Sequence, residues 1–152
     1  GSEMCIRDRR ESGYQELRQK AETEGEGCHG EYNQHNVLIL KSGTAVTNFE
    51  HWGFDTQMAD LYRFMRKILE KYNWDVRFGK EMLKAYHEIK PVSKEEWTNL
   101  KIRFSYPEKY WKLANYYYTH RKTWISVKNT EKLQNLIRQR EAWKRYCASF
   151  FF

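Results

Sequence analysis

Residues 28 to 49, CHGEYNQHNVLILKSGTAVTNF, constrain the fold of this chain more than any other stretch. The polar octapeptide HGEYNQHN, 29 to 36, runs straight into two short apolar segments, VLIL and TAVTNF, set on either side of KSG. Residues 36 to 49 therefore read as a β-hairpin with a short, glycine-containing turn. Around it the apolar residues recur at helical spacing, and only two prolines interrupt the chain. The order is helix, loop, hairpin and then about five helices, which predicts a mainly α fold with one small β-hairpin.

The helical segments carry their own boundary marks. Glu11 to about Glu22 contains good helix formers and is stopped by Gly25 and Gly27. Asp55 is expected to cap a helix running to about Lys71, with Met58, Leu61, Tyr62, Met65, Ile68 and Leu69 at helical spacing. Asn73 or Asp75 opens the next, whose apolar set is Val76, Met82, Leu83, Tyr86 and Ile89 and which Pro91 ends. Ser93 with Glu96 is a capping box for a helix through Ile102. Pro107 suits the first turn of PEKYWKLANYYYTHRK. The last helix is expected from Asn129 or Thr130 to about Cys147, with Leu133, Leu136, Ile137 and Trp143 on one side.

Composition narrows the function classes. With 40% hydrophobic and 16% aromatic residues, the 152-residue chain has material for one domain with a real core. The longest uncharged apolar run is VLIL, far short of a membrane span, and no signal segment opens the chain. Cys5, Cys28 and Cys147 are odd in number and widely spaced, which argues against a disulfide framework and for a reducing compartment. The chain thus reads as soluble and intracellular, with no membrane partner. A net charge of +7 permits an anionic partner, but acids are interleaved with the bases in KEEWTNLKIR and NTEKLQNLIRQREAWKR, as on solvated helix faces. The aromatic and basic run from 106 to 124 could form a platform for single-stranded nucleic acid. Aromatics at helical spacing are more often core, so core is expected there and nucleic acid is not.

The opening GSEMCIRDRR does not read as the start of a domain. MCIRDR is what one frame of a sequencing-transposon adapter, ATG TGT ATA AGA GAC AG, encodes. Residues 1–9 are expected to be non-native, 10–148 to form the domain and 149–152 a tail. The terminal FFF is either a docking tail or a second artefact.

The octapeptide has the outline H-x-E-x-x-x-x-N. It differs by one methylene from H-x-D-x-x-x-x-N, the catalytic loop of kinase-like phosphotransferases, where the aspartate accepts the hydroxyl proton and the asparagine holds magnesium. His29, Glu31 and Asn36 stand in register, and NFE (Asn48, Phe49, Glu50) falls after the hairpin, where D-F-G or D-F-D would lie. ADL (Ala59, Asp60, Leu61) follows. CHGEYNQHNVLIL resembles the CHGDYNQHNVL-type loop of the CotS family of spore-coat proteins, relatives of aminoglycoside and choline phosphotransferases. YPEKYWKLANYYYTHRKTWI and KNTEKLQNLI also resemble that family's C-terminal helices, so the resemblance spans about residues 10 to 146.

The resemblance implies the C-terminal lobe of a kinase-like fold, with Mg-ATP as cofactor. It implies Glu31 as the catalytic base, Asn36 at the nucleotide, and Asn36, Asn48 and Glu50 as metal ligands. His29 would brace the loop and Asp60 would tie it down. It further implies synthesis in the mother-cell cytoplasm and deposition in the spore coat beside other coat proteins.

The departures from that pattern are as informative as the match. Glu31 is longer than aspartate, and a misplacement of about 1 Å can cost roughly a hundredfold in rate. Asn48 offers a hard cation an amide where a carboxylate belongs. Glu50, two residues on, is expected on the same side of an extended strand as a partial substitute. No Gly-rich phosphate loop, strand lysine or partner glutamate precedes residue 28, so the N-terminal lobe is expected to be missing and Mg-ATP is doubtful for this chain alone. Two functions follow: a coat scaffold with a weakened or inactive site, or, when complete, an active ATP-dependent small-molecule phosphotransferase. Cys28, His29, His35 and His51 match no standard zinc spacing. The surface near Val37 to Leu40 is expected to be exposed, leaving the chain prone to aggregate.

Overall fold

A computed structural model describes residues 13–119 and 126–149. The proposed adapter segment at residues 1–9 and the FFF tail lie outside the described residues. The elements run α1 (Tyr14–Glu24), β1 (Gly27–Cys28), β2 (Val37–Leu40), β3 (Gly43–Val46), β4 (Gly53–Phe54), α2 (Met58–Lys71), α3 (Val76–Ile89), α4 (Lys94–Ser105), α5 (Glu108–Thr119) and α6 (Val127–Ser149). The fold is mainly α, as the sequence predicts.

The expected hairpin is present. β2 and β3 pair antiparallel, Val37 opposite Val46 and Leu40 opposite Gly43, so Lys41 and Ser42 form the turn. A second, two-residue antiparallel pair joins Gly27 to Phe54 and Cys28 to Gly53. It was not predicted, because two residues on either side carry no alternation to read. This pair closes the chain segment between Cys28 and Gly53 into a ring that contains the whole octapeptide and the hairpin.

Local capping chemistry sets the helix bounds. Asp75 caps α3 by accepting the Phe78 N–H at 2.7 Å. At α4, Ser93 accepts the Glu96 N–H at 3.2 Å while Glu96 accepts the Ser93 N–H at 2.8 Å, the reciprocal pair of the capping box. α4 runs to Ser105, three residues past the expected Ile102, because Phe104 is buried and holds the last turn against the core. α2 starts later than expected. Asp55 does not cap it; its carboxylate takes the Thr56 N–H and the Tyr14 hydroxyl, and Gln57 occupies the cap position.

Helix α2 is the spine of the core. Met58, Leu61, Tyr62, Met65 and Leu69 are buried along it, against Leu83, Leu100, Phe104, Ala142 and Tyr146 from the other helices and Trp74 and Val92 from the connections between them. Tyr62, Phe104 and Tyr146 meet edge to face at 5.2 and 5.3 Å, a geometry worth about 0.5–1.5 kcal/mol per pair beyond area burial. α3 approaches α6 so closely that a Cβ on Gly79 would fall 2.3 Å from the Tyr146 ring. Ile89 departs from its predicted apolar set. It is 89% exposed, because α3 ends there and Lys90 turns toward Glu26.

The aromatics of α5 correct a second expectation. None of its residues is buried; Tyr110, Trp111, Tyr116 and Tyr118 are exposed. Their rings are spread around the helix and not along one stripe, so the single large neighbour, α6, cannot cover them.

Candidate phosphotransferase-type loop

The octapeptide is shaped by backbone groups that find side-chain partners. Gly30 sits at φ +80°, and a Cβ there would lie 1.9 Å from the His51 carbonyl oxygen. Only glycine fits both the left-handed backbone and that approach. Asp60, at the start of α2, spreads its carboxylate across the loop, accepting the His29 N–H at 2.5 Å and the Gly30 N–H at 3.1 Å. Charge-assisted bonds of this kind contribute roughly 1.5–3 kcal/mol each.

His29 is buried and fully engaged. Its Nδ1 accepts the Glu31 N–H at 3.2 Å, which leaves the proton on Nε2, and Nε2 donates to the Thr47 carbonyl at 2.8 Å. Its ring lies 4.5 Å from that of Phe49. One imidazole therefore joins the loop to the strand end that delivers Asn48.

The carbonyl of Glu31 is the other fixed point. It accepts Asn33 Nδ2 at 2.8 Å and Asn36 Nδ2 at 2.9 Å. Asn36 thus points its amide nitrogen inward, and its Oδ1 makes no hydrogen bond among the described residues. Its own carbonyl takes the Thr47 N–H at 2.9 Å, which ties the loop to the base of the hairpin. Asn33, absent from the predicted site, is buried and also accepts the His35 N–H at 3.0 Å. The signal was in the sequence: an asparagine two residues before the amide it takes is an Asx turn.

The chemistry-bearing side chains are placed more loosely. Glu31 is half-buried, and its carboxylate lies 3.8 Å from His51 Nε2, which the sequence reading did not include in the site. Asn48 has φ +67°, a left-handed conformation that asparagine and aspartate tolerate best among non-glycine residues. This overturns the premise for Glu50. The chain past Asn48 is not extended but turns, with the Trp52 N–H bonded to the Phe49 carbonyl at 3.2 Å, so residues 48 and 50 do not share a strand face. Glu50 itself is exposed.

Cys28 lies at the mouth of the ring. Its thiol donates to the Asp55 carbonyl at 3.0 Å, and burial, reinforced by the Asp60 and Asp55 charges, pushes its pKa up to about 12. Such a thiol is not a nucleophile near neutral pH. No group of three or more histidine, cysteine or acidic side chains suited to a metal ion occurs among the described residues.

Residues 12–150 match the family model described as spore coat putative kinase YutH. The chain belongs to that family. It is also 29% identical, over 91 residues, to Spore coat protein S of Bacillus subtilis (strain 168), a match covering 59% of this chain and 26% of that protein. Its fold is similar to that of an aminoglycoside phosphotransferase from Alicyclobacillus acidocaldarius, at a TM-score of 0.80 and 19% identity, covering 96% of this chain and 46% of that one. The chain thus spans about a quarter of the spore-coat relative and under half of the solved phosphotransferase. The CotS-type resemblance and the kinase-like fold read from the sequence agree with these matches. The ring from Cys28 to Gly53 thus lies in a chain of a spore-coat, kinase-like family, and no described helix is long and apolar enough to cross a membrane.

Proposed function

We propose that this chain is the C-terminal lobe of a spore-coat protein whose phosphotransferase site is weakened or inactive, and that it serves the coat chiefly as a folded scaffold. The observation that carries this reading is Asn48. It holds the left-handed backbone suited to a metal-binding aspartate while presenting a neutral amide. The donors that face magnesium in the family pattern would be Asn36 Oδ1 and Asn48, two amides. A small, hard dication that prefers carboxylates and phosphate is poorly served by that pair. Mg-ATP, which supplies the phosphoryl group in related enzymes, therefore does not fit these residues well, and no catalytic step is derived through it.

The alternative is an active small-molecule phosphotransferase in the complete protein, with Glu31 as general base. The ordered loop favours it, since the ties from Asp60, His29 and Asn36 are those a working loop needs. In either case the exposed apolar side chains of the hairpin region, among them Leu38, Ile39, Leu40 and Trp52, form the surface on which an N-terminal lobe would sit. Other coat proteins are the further partners, met after synthesis in the mother cell.

Calorimetric titration of the whole protein with ATP, with and without magnesium, separates the two. The scaffold reading expects no magnesium-dependent gain in affinity for the natural sequence and a clear gain in the double variant Glu31→Asp, Asn48→Asp. Magnesium-dependent binding and phosphoryl transfer by the natural sequence would establish the enzyme instead.

A further inference from the structure

Helix α2 presents two different sides. Asp60 meets the loop, and Phe64, one turn on, stacks at 5.2 Å on Tyr32. Tyr62, Arg66 and Glu70 follow one another at four-residue spacing on a line about 140° around the helix from that side. There a cavity of about 420 Å³ opens between α2, the α4–α5 junction at Pro107, and α6. Trp74, Phe104, Leu136 and Trp143 help to wall it, and Ile137 stands at its exposed rim. The apolar side of α6 read from the sequence thus faces a void as well as the core.

Arg66, Glu70, Glu108 and Lys109 on the cavity wall are spent on one another, while Arg140 stands exposed at the rim without an ion pair among the described residues. Glu70 takes Arg66 at 2.8 Å and Lys109 at 2.9 Å. Glu108 takes the Tyr62 hydroxyl at 3.2 Å and pairs with Arg66 and Lys112. Trp143 Nε1 donates to the Phe104 carbonyl at 2.9 Å. Arg66 Nε, 3.5 Å from Glu108, makes no hydrogen bond among the described residues, and Gln139 is the other lining residue with an open buried atom. Its Nε2 donates to the Glu70 carbonyl at 2.8 Å, but its buried Oε1 has no hydrogen-bond partner among the described residues.

We propose that this cavity is a binding site, separate from the loop, for an uncharged, ring-bearing small molecule that offers one hydrogen-bond donor to Gln139. A volume of this order is that of small-molecule pockets, which are mostly apolar with a few placed polar groups. A charged ligand seated against the α2 wall would have to break ion pairs that are already made. The open acceptor on Gln139 sets a polar requirement on the occupant.

The test is a titration of the whole protein, labelled with 5-fluorotryptophan, with 2-naphthol, followed by fluorine NMR with resonances assigned by Trp→Phe variants. A saturable shift at Trp74 and Trp143 but not at Trp52, with a Kd below about 1 mM, is expected. 2-Methoxynaphthalene, which lacks the donor, should bind about tenfold more weakly, and Gln139→Leu should erase that preference. Leu136→Trp should abolish binding with the thermal midpoint unchanged or raised, and Ile137→Trp at the rim is the second blocking variant should the first not fold. Silent Trp74 and Trp143 resonances would overturn the proposal, whether the cavity is closed or already filled by an aromatic segment of a protein. So would equal affinities for the two naphthalenes, or undiminished binding in both blocking variants.

Discussion

A side-chain carbon on Gly30 would lie 1.9 Å from the carbonyl oxygen of His51, which makes these two residues the tightest crossing in the ring. The contact is backbone against backbone, so neither partner can rotate away. Gly30→Ala adds left-handed strain at φ +80° to that overlap and should cost at least about 3 kcal/mol. The expected outcome is a thermal midpoint lower by roughly 6–12 °C, with the amides of residues 29 to 36 exchanging faster. A melt indistinguishable from that of the natural sequence would show that the crossing does not exist in solution.

Asp60 is the second anchor of the loop. Replacing it by alanine leaves two part-buried N–H groups, those of His29 and Gly30, without their acceptor. The expected loss is about 2–4 kcal/mol, and Asp60→Asn, which turns an NH2 group toward one of the two donors, should fall between alanine and the natural residue. Chemical denaturation with tryptophan fluorescence measures this order directly. Asparagine equal to aspartate would mean that the carboxylate charge contributes nothing.

Alkaline pH should unfold the protein through groups that the fold keeps protonated. Burial pushes Cys28 and Cys147 up to about 12 from an ordinary value near 9, and burial with the Glu96 charge pushes Tyr86 up to about 12 from near 10. Tyr62 and Tyr146 shift in the same direction, again chiefly through burial. Between the ordinary and raised values the unfolded chain has lost protons that the folded chain still holds. Stability therefore falls as pH rises, starting near 9, and is indifferent to these groups below it. Denaturant midpoints should be flat in this respect from pH 7 to 8.5 and drop above 9. In the double variant Cys28→Ala, Cys147→Ala the drop should begin about one unit later; an onset unchanged by the two substitutions would remove the buried thiols as its cause.

The hairpin offers a test on the surface. Ile39 is 89% exposed beside the half-exposed Leu38 and Leu40. Ile39→Lys should change stability by less than about 0.5 kcal/mol and should lower self-association of this chain, seen by light scattering across a concentration series. Unchanged scattering would place the sticky surface elsewhere, with the exposed aromatics of α5 next in line.

How much of this was legible in the sequence depended on the range of the interaction. Asp75, Ser93 and Glu96 announced themselves because a cap and its recipient amide are three residues apart, and the hairpin because two short apolar segments flank one glycine-containing turn. The β1–β4 pair was not legible, since Gly27 and Phe54 meet across most of the ring with no pattern of their own. Glu50 was misread because the extended geometry assumed for it failed at Asn48, where a left-handed residue swings the chain. The rings of α5 were assigned to a core that never reaches them, because helical spacing predicts a buried stripe only when the apolar positions share a side. Glu31, Asn36, Asn48 and Asp60 were located by register with the phosphotransferase loop. His51 and Asn33 were not, as their contacts arise from how the ring folds back on itself.

The side-chain hydrogen bonds that tie the ring to itself and to α2 come from Asp60, His29, Asn33, Cys28 and the amide nitrogen of Asn36. The Glu31 carboxylate contributes none of them, and neither does the side chain of Asn48. Form and the proposed chemistry thus rest on different atoms. Under the function proposed above, exchanges of the side chains at positions 31 and 48 would retune the chemistry while the bonds that shape the loop stay in place.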